Sequence, residues 1–193
     1  MTKIACVVEG HGEVEAVPLL IRRLGASCEP PVFPDVSRPI RVPSSKLRKP
    51  EELKRAVQLA ASRVGAGENV LVLLDADDDC PAALGPALVA VAERPDVTVA
   101  VVLAKHEFEA WFIAAAESIA GSRGLADDLV TPHDPEGIRG AKEWLESRMA
   151  AGSAYSPTVD QPALAARFDI DAARRAASFD KCFREVRRLL GCT

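Results

Sequence analysis

The sequence contains few of the residues that form zinc sites or disulfide frameworks. Its 193 residues include five cysteines and three histidines, and no two cysteines form a CxxC pair. A structural zinc site is therefore not expected. The first residues lack a basic stretch followed by a long apolar one, and no apolar run reaches the length of a membrane span. These absences predict a cytoplasmic protein with free thiols and no membrane segment.

Two nucleotide-binding signatures are incomplete. The tripeptide GHG at positions 10–12 resembles the start of a dinucleotide-binding loop, but Glu15 stands where the third glycine is needed. No acidic residue ends a second strand about twenty residues further on. A Walker A lysine is also missing, which excludes that kind of nucleotide hydrolysis. Tyr155 is the single tyrosine and is interpreted as a packing residue, so hydrolysis by water is favoured over tyrosine-mediated strand passage.

The overall composition is that of one globular domain. Hydrophobic residues make up 48% and charged residues 27% of the chain. At this length and composition, the chain can form a hydrophobic core without disulfide or metal cross-links. The formal net charge of -4 argues against a general polyanion binder, although a local basic surface remains compatible with it.

Three unbroken apolar runs alternate with helical patterns. A strand that is apolar throughout is typical of a parallel sheet covered on both faces. Strand and helix alternate at the spacing of an α/β protein with helices on both sides of the sheet. The predicted strands are 4–8, 69–74 and 97–103, and the predicted helices are 13–24 (or 15–24), 50–64 and 81–93.

The strand pattern stops after Gly121. We therefore divide one domain into a sheet core at residues 1–121 and a helical annex at residues 122–193. Ser178 is a candidate N-cap of the last helix. In the first helix, Pro18 fits only near the first turn, which favours a late start, and Gly25 is a reasonable stop.

Acidic residues follow two of the predicted strands. Glu9 comes directly after the first strand, and Asp75, Asp77 and Asp79 come after the strand 69–74. Ligands bind beyond the carboxyl ends of parallel strands, so these carboxylates converge if the two strands are neighbours. On an extended segment Asp75 and Asp77 point the same way, and hard divalent cations prefer such oxygen ligands. The alternative is a solvated acidic turn before the helix that begins at Pro81.

The segments VVEGHGEVEAVPLLIRRL and VLVLLDADDDCP together resemble a Toprim domain, which has a glutamate after its first strand and a DxD after a later one. The segment KHEFEAWF is similar to the acidic, aromatic helix start of OLD-type Toprim nucleases. Nearly the whole chain resembles a small bacterial family of stand-alone Toprim-like proteins. The resemblance implies a Toprim/Rossmann-like parallel sheet sandwiched by helices, with a helical C-terminal extension.

The resemblance also implies a metal-dependent nuclease. Asp75 and Asp77 would hold Mg²⁺, or Mn²⁺ in its place, and Glu9 would be a ligand or a general acid or base. Lys105 would stabilise the negative charge that builds on a scissile phosphate. One or two ions would assist hydrolysis of the phosphodiester bond. Further groups at this edge would be Glu13 for a second ion, Asp79 acting through water, and Glu109 or Glu107 after the third strand.

A basic segment precedes the helix that leads into the acidic strand. It is a candidate surface for DNA or RNA, although a solvated face is the plainer interpretation. OLD-like nucleases commonly work with an ATPase, which this chain lacks. A non-catalytic metal- or nucleic-acid-binding subunit that acts with a separate ATPase in phage defence is therefore the alternative function, and a homo-oligomer is also compatible with the sequence. The candidate nucleic-acid-binding residues are Arg38, Arg41, Lys46, Arg48 and Lys49.

Overall fold

The computed structural model describes residues 1–192 and contains a five-stranded sheet in which every strand pairing is parallel. The strand order is β2-β1-β4-β5, and β3 pairs with β1 further along the same edge as β2. Helices cover both faces, so the predicted α/β, Rossmann-like architecture is confirmed. The strands are β1 (Lys3–Val8), β2 (Asp35–Val36), β3 (Ile40–Arg41), β4 (Asn69–Asp75) and β5 (Thr98–Ala104).

The helices fall into two layers, one on each face of the sheet. Because side chains alternate along a strand, neighbouring residues of β1 and β4 enter different layers. One layer packs α3 and α4 on the sheet, and the other packs α1, α8 and α10. The helices are α1 (Glu13–Ala26), α2 (Ser44–Leu47), α3 (Pro50–Val64), α4 (Pro81–Ala92), α5 (Ala110–Ile113), α6 (Ala116–Ile119), α7 (Ala141–Glu146), α8 (Pro157–Ala165), α9 (Ile170–Ala173) and α10 (Ala177–Leu190), with 3₁₀ turns at Ser122–Gly124 and Pro135–Gly137.

The register of β1 against β4 determines where the acidic residues meet. Val8 lies opposite Leu73, so the residues that follow both strands leave the sheet side by side. Asp75 lies opposite Ala104 at the end of β5. The condition for convergence, that the two acid-bearing strands are neighbours, is therefore met.

Helix α1 begins at the earlier of its two predicted starts and extends beyond its predicted end. It begins at Glu13, so Pro18 lies inside the helix and not in its first turn. Proline at this position removes one backbone hydrogen bond, to Val14, which the buried packing of the helix outweighs. Gly25 is not the stop either. It lies within the helix, where a Cβ atom would come 2.3 Å from the carbonyl oxygen of Val32.

The C-terminal helices share a core with the sheet. Phe168 and Phe179 from the annex make edge-to-face contacts with Phe112 and Trp111, which follow β5.

A disulfide joins Cys28 and Cys192, since the packing of α10 beside α1 brings their Cα atoms to 5.8 Å. The expectation of free thiols is therefore wrong for these two residues. The other cysteines are free: Cys6 and Cys182 are buried and Cys80 is exposed.

Ser178 connects α10 to the end of β5. Ala176 is the N-cap of α10, so the prediction that Ser178 caps this helix is wrong. Ser178 lies within the first turn, and its Oγ accepts hydrogen bonds from the indole Nε1 of Trp111 at 2.7 Å and from the backbone N of Lys105 at 3.2 Å. No helix within residues 1–192 combines the length and the apolar character that crossing a membrane requires.

We expect Ser178→Ala to lower the free energy of unfolding by about 1–3 kcal/mol, because it leaves the buried indole N–H of Trp111 without an acceptor. Urea denaturation measures the change. The control is Ser62→Ala on α3, where the hydroxyl is exposed and bonds only within its own helix. The control should stay within about 0.5 kcal/mol of the parent protein. Equal stabilities of the two variants would contradict the expectation.

Candidate functional site

Four carboxylates meet at the carboxyl ends of β1, β4 and β5, and we call Glu9, Glu13, Asp75 and Glu109 the acid quartet. The carboxylate of Glu13 accepts a hydrogen bond from the backbone N of Glu9 at 3.1 Å. The carboxylate of Glu9 accepts one from the backbone N of Asp75 at 3.2 Å. Glu13, Asp75 and Glu109 are 3%, 8% and 0% exposed, and Glu9 is half-buried. The site is therefore an internal acidic cluster that reaches solvent beside Glu9.

Two glycines allow the loop between β1 and α1 to lie close to its neighbours. A Cβ atom on Gly10 would come 2.8 Å from Oε1 of Glu13. A Cβ atom on Gly12 would come 2.2 Å from both Oε1 of Gln161 and the carbonyl oxygen of Pro157. The tripeptide at 10–12 therefore serves close packing against α8 and the seating of Glu13.

Burial and mutual repulsion favour the protonated forms of the quartet. Burial raises the pKa of Glu13 to about 7, and the charges of Glu9 and Glu109 add to this rise. Burial also raises the pKa of Asp75 well above its usual range, with further contributions from Glu13, Glu109 and Glu9. The pKa values of Glu109 and Glu9 are raised as well, and burial is again the main cause. Without a shared cation, four clustered carboxyl groups cannot all be ionised, and some of them take up protons.

One lysine from the annex partly offsets this charge. Nζ of Lys142 lies 3.0 Å from Oε2 of Glu107 and 3.6 Å from Oε2 of Glu109. Burial acts to lower the pKa of Lys142, but the charges of Glu109 and Glu107 outweigh it and raise the pKa. Glu107, an alternative to Glu109 in the sequence prediction, thus pairs with Lys142 beside the quartet.

Two buried oxygens at the inner end of the cluster lack a hydrogen bond in the described part of the chain. Nε2 of Gln161 donates to Oε1 of Glu109 at 2.7 Å. Within residues 1–192, Oε2 of Glu109 and Oε1 of Gln161 are buried and form no hydrogen bond. Since buried polar groups are nearly always satisfied, these two oxygens indicate a position for water or another bound group.

Asp77 and Asp79 lie apart from the quartet, on Arg48. Nη2 of Arg48 lies 3.1 Å from Oδ2 of Asp77, and Nη1 forms an ion pair with Asp79. The same guanidinium donates to the carbonyl oxygens of Asp75 and Ala76, each at 3.1 Å. The expectation that Asp75 and Asp77 point the same way is not met, because β4 ends at Asp75 and the chain turns. Asp77 has a φ of 51°, and the N of Asp79 donates to the O of Ala76.

The turn after β4 is held against the turn after β5. The backbone N of Asp77 donates to the carbonyl oxygen of His106 at 3.2 Å, and Nδ1 of His106 lies 2.5 Å from the carbonyl oxygen of Asp77. Both residues have positive φ, 51° and 61°, which is uncommon for residues other than glycine. Such conformations cluster at functional sites, where the surrounding structure holds them in place.

The predicted cationic residues are placed in different ways. Lys105 lines a cavity between α4 and α10, and no ion pair within residues 1–192 links it to the quartet. Arg48 is half-buried, and its guanidinium already forms ion pairs with Asp77 and Asp79. Nη1 of Arg41 donates to the carbonyl oxygen of Glu9 at 3.4 Å, so the basic segment borders the quartet. Its exposed members are Arg38, Arg41, Lys46 and Lys49.

The quartet fits a divalent cation in chemistry but not in its present side-chain positions. Carboxylate oxygens are the ligands that Mg²⁺ and Mn²⁺ prefer, and a cation would relieve the repulsion within the cluster. However, in the described part of the chain no three His, Cys, Asp or Glu side chains are grouped so as to hold a metal ion. Binding an ion therefore requires these side chains to rotate towards one another.

This geometry defines an α/β protein with an acidic site at the carboxyl edge of a parallel sheet. The chain belongs to the family of the domain of unknown function DUF4276, whose model matches residues 8–187. The match includes every member of the acid quartet, together with Lys142 and Gln161. Searches of the curated proteins and of the solved structures found no match. The family description states no activity, so the resemblance to Toprim domains and OLD-type nucleases stays a prediction.

We expect the metal-free protein to lose stability as the pH rises from about 4.5 to about 7. The folded state raises the pKa of Glu13 from 4.5 to about 7. Its stabilising contribution is therefore fully present below the lower value and is lost as the pH rises through the higher one. At about 1.4 kcal/mol per pKa unit the loss from this residue is about 3 kcal/mol. Urea unfolding in the presence of a chelator measures the pH profile.

The matched variants are Glu13→Gln and Glu15→Gln, because both residues lie in the first turn of α1 and Glu15 is exposed. Glu13→Gln should make the profile between these pH values less steep, because the other quartet residues, whose pKa values are also raised, keep part of the dependence. Glu15→Gln should leave the profile unchanged. A parent protein whose stability rises over this range would contradict the expectation.

Proposed function

We propose that this protein is a Mg²⁺- or Mn²⁺-dependent phosphodiesterase that hydrolyses DNA or RNA. The observation that carries the proposal is the acid quartet, in which three deeply buried carboxylates and Glu9 share one edge of the sheet. Stability alone gives no reason to bury these carboxylates together, because Glu9 and Glu109 raise the pKa of Glu13 and all three raise the pKa of Asp75. A divalent cation gives such a cluster a counter-charge, and carboxylates with perturbed pKa values are a common mark of active sites. The resemblance to Toprim nucleases supports the same chemistry.

In this proposal the residues of the quartet have different roles. Asp75, Glu13 and Glu109 would hold the cation, and a bound cation would polarise the phosphodiester and lower the pKa of a water molecule. Glu9 is the member nearest to solvent, so it takes the proton of the attacking water. Gln161 and Lys142 position Glu109 through contacts at 2.7 and 3.6 Å. Hydrolysis breaks one P–O bond and leaves a phosphate monoester and a hydroxyl.

The proposed principal metal ligands are more deeply buried than those assigned from the sequence. Asp75 stays at the centre, and Glu13 and Glu109 replace Asp77 beside it. Asp77 and Asp79 are neutralised by Arg48. They are therefore assigned to holding the acidic turn in place.

The decisive pair of variants is Asp75→Asn and Asp78→Asn. Both replace one carboxyl group by an amide at or just after the end of β4, but Asp78 is exposed and pairs with Arg139. We expect Asp75→Asn to reduce Mg²⁺- or Mn²⁺-dependent cleavage by more than the roughly 10–100-fold that loss of an outer-sphere group costs. Asp78→Asn should retain activity. Cleavage of labelled single- and double-stranded DNA and RNA is the assay, with circular dichroism to confirm folding.

Two results would overturn the proposal. One is a parent protein that cleaves none of these substrates with either metal. The other is an Asp75→Asn variant that is folded and as active as Asp78→Asn.

Binding of nucleic acid is assigned to the exposed part of the basic segment, next to Glu9. We expect Lys46→Gln combined with Lys49→Gln to reduce the slope of log K against log salt concentration by about 2, since each lost phosphate contact reduces it by about 1. Fluorescence anisotropy at several salt concentrations measures this slope. The control is Lys54→Gln combined with Arg55→Gln on α3, where both cations pair with glutamates of their own helix. An equal change in both double variants would contradict the assignment.

A second candidate function is a non-catalytic subunit that acts with a separate ATPase. The observation in its favour is that, in residues 1–192, no three candidate ligands are grouped around a metal position. Co-purification with an ATPase that persists in the Asp75→Asn variant, together with an inactive parent protein, would favour this function.

A further inference from the structure

The cavity that Lys105 lines lies at the β5 edge of the sheet. It has a volume of about 420 Å³ and is open to solvent between the first turns of α4 and α10. Leu103, Pro81 and Ala177 contribute apolar surface to it. Its size falls within the range of small-molecule sites, which are about 300–1,000 Å³.

The charged groups of this cavity are mainly positive. Lys105, Lys181 and Arg184 line it. Lys105 and Lys181 are half-buried and form no ion pair with a carboxylate of residues 1–192. Arg184 bonds to Asp180 at 2.9 Å. Two partly desolvated ammonium groups therefore face the cavity without a counter-charge.

The acidic residue that lines the cavity, Glu136, already accepts hydrogen bonds with both of its carboxylate oxygens. The carboxylate of Glu136 accepts hydrogen bonds from the backbone N of Ala177 at 2.8 Å and of Ser178 at 3.0 Å, so both of its oxygens serve the first turn of α10. The first turn of the 12-residue helix α4 has no such partner: it has no side-chain cap and no acidic residue. Its positive end adds to the potential that an anion would meet in the cavity.

We propose that this cavity binds a small phosphorylated organic molecule, for which a nucleoside monophosphate serves as the probe. Lys105 and Lys181 hold the phosphate near the first turn of α4, and the apolar surface around Leu103 contacts the rest of the ligand. The inference does not depend on the proposed phosphodiesterase, because it requires neither a metal ion nor a quartet residue.

Isothermal titration calorimetry in the presence of EDTA tests the proposal with adenosine 5′-monophosphate, adenosine and inorganic phosphate as probes. We expect the monophosphate to bind at least about tenfold more tightly than either of the others. Lys181→Gln should weaken its binding by about tenfold or more, the effect of losing one charge-assisted contact. Lys54→Gln, an exposed lysine on α3, is the matched control and should bind as the parent protein does.

Cys80 provides an independent measurement that needs no variant. It lines the cavity and is the one exposed free thiol in residues 1–192, since Cys6 and Cys182 are buried. The monophosphate should slow its reaction with a thiol reagent several-fold under native conditions, and adenosine should not.

Three results would overturn the proposal. They are no binding of the monophosphate at millimolar concentration, binding that is unchanged in Lys181→Gln, and inorganic phosphate that binds as tightly as the monophosphate. The first of these results includes binding that is seen only without EDTA, which would place the ligand at the quartet. An inactive phosphodiesterase that still binds the monophosphate would leave this inference intact.

Discussion

The parallel pairing of β1 with β4 is the constraint on which the rest of this structure depends. Its register places Val8 opposite Leu73, so the backbone N of Asp75 comes within hydrogen-bond distance of Glu9. A slip of one residue would turn every side chain of the strand to the other layer and would separate the two acids. One strand pairing therefore builds both the core and the candidate site.

The annex completes the site as well as the core. The sheet core alone supplies four carboxylates, whereas the groups that contact Glu109 come from α7 and α8. Lys142 brings the positive charge and Gln161 the hydrogen bond. Residues after 121 therefore contribute directly to the electrostatics of an edge that the earlier residues define.

The sequence patterns predicted the sheet well because their signals are local. Helix α3 begins at Pro50 and ends at Val64 as predicted, with a proline at its first position and Gly65 in a positive-φ conformation after its end. The apolar run at 69–74 is the body of β4. The acids after these strands were also identified from sequence, since position after a buried strand is a strong local signal.

The contacts that depend on tertiary packing were not predictable in this way. Lys142 and Gln161 lie in segments with no distinguishing motif, and only the docking of α7 and α8 brings them to Glu109. Asp77 was expected beside Asp75, but the turn after β4 and the guanidinium of Arg48 place it elsewhere. Cys28 and Cys192 are 164 positions apart, so nothing in their local sequence marks them as a pair.

The position of Arg48 has a consequence for how ligands of opposite charge influence each other. Arg48 pairs with Asp77 and Asp79, and a phosphate that attracted its guanidinium would release both carboxylates. One of them, Asp77, interacts electrostatically with Glu9. The released charge would strengthen the attraction of this edge for a cation. By thermodynamic linkage, a bound cation would in turn strengthen the hold of Arg48 on the phosphate. One arginine would thus couple the uptake of an anion to the uptake of a cation.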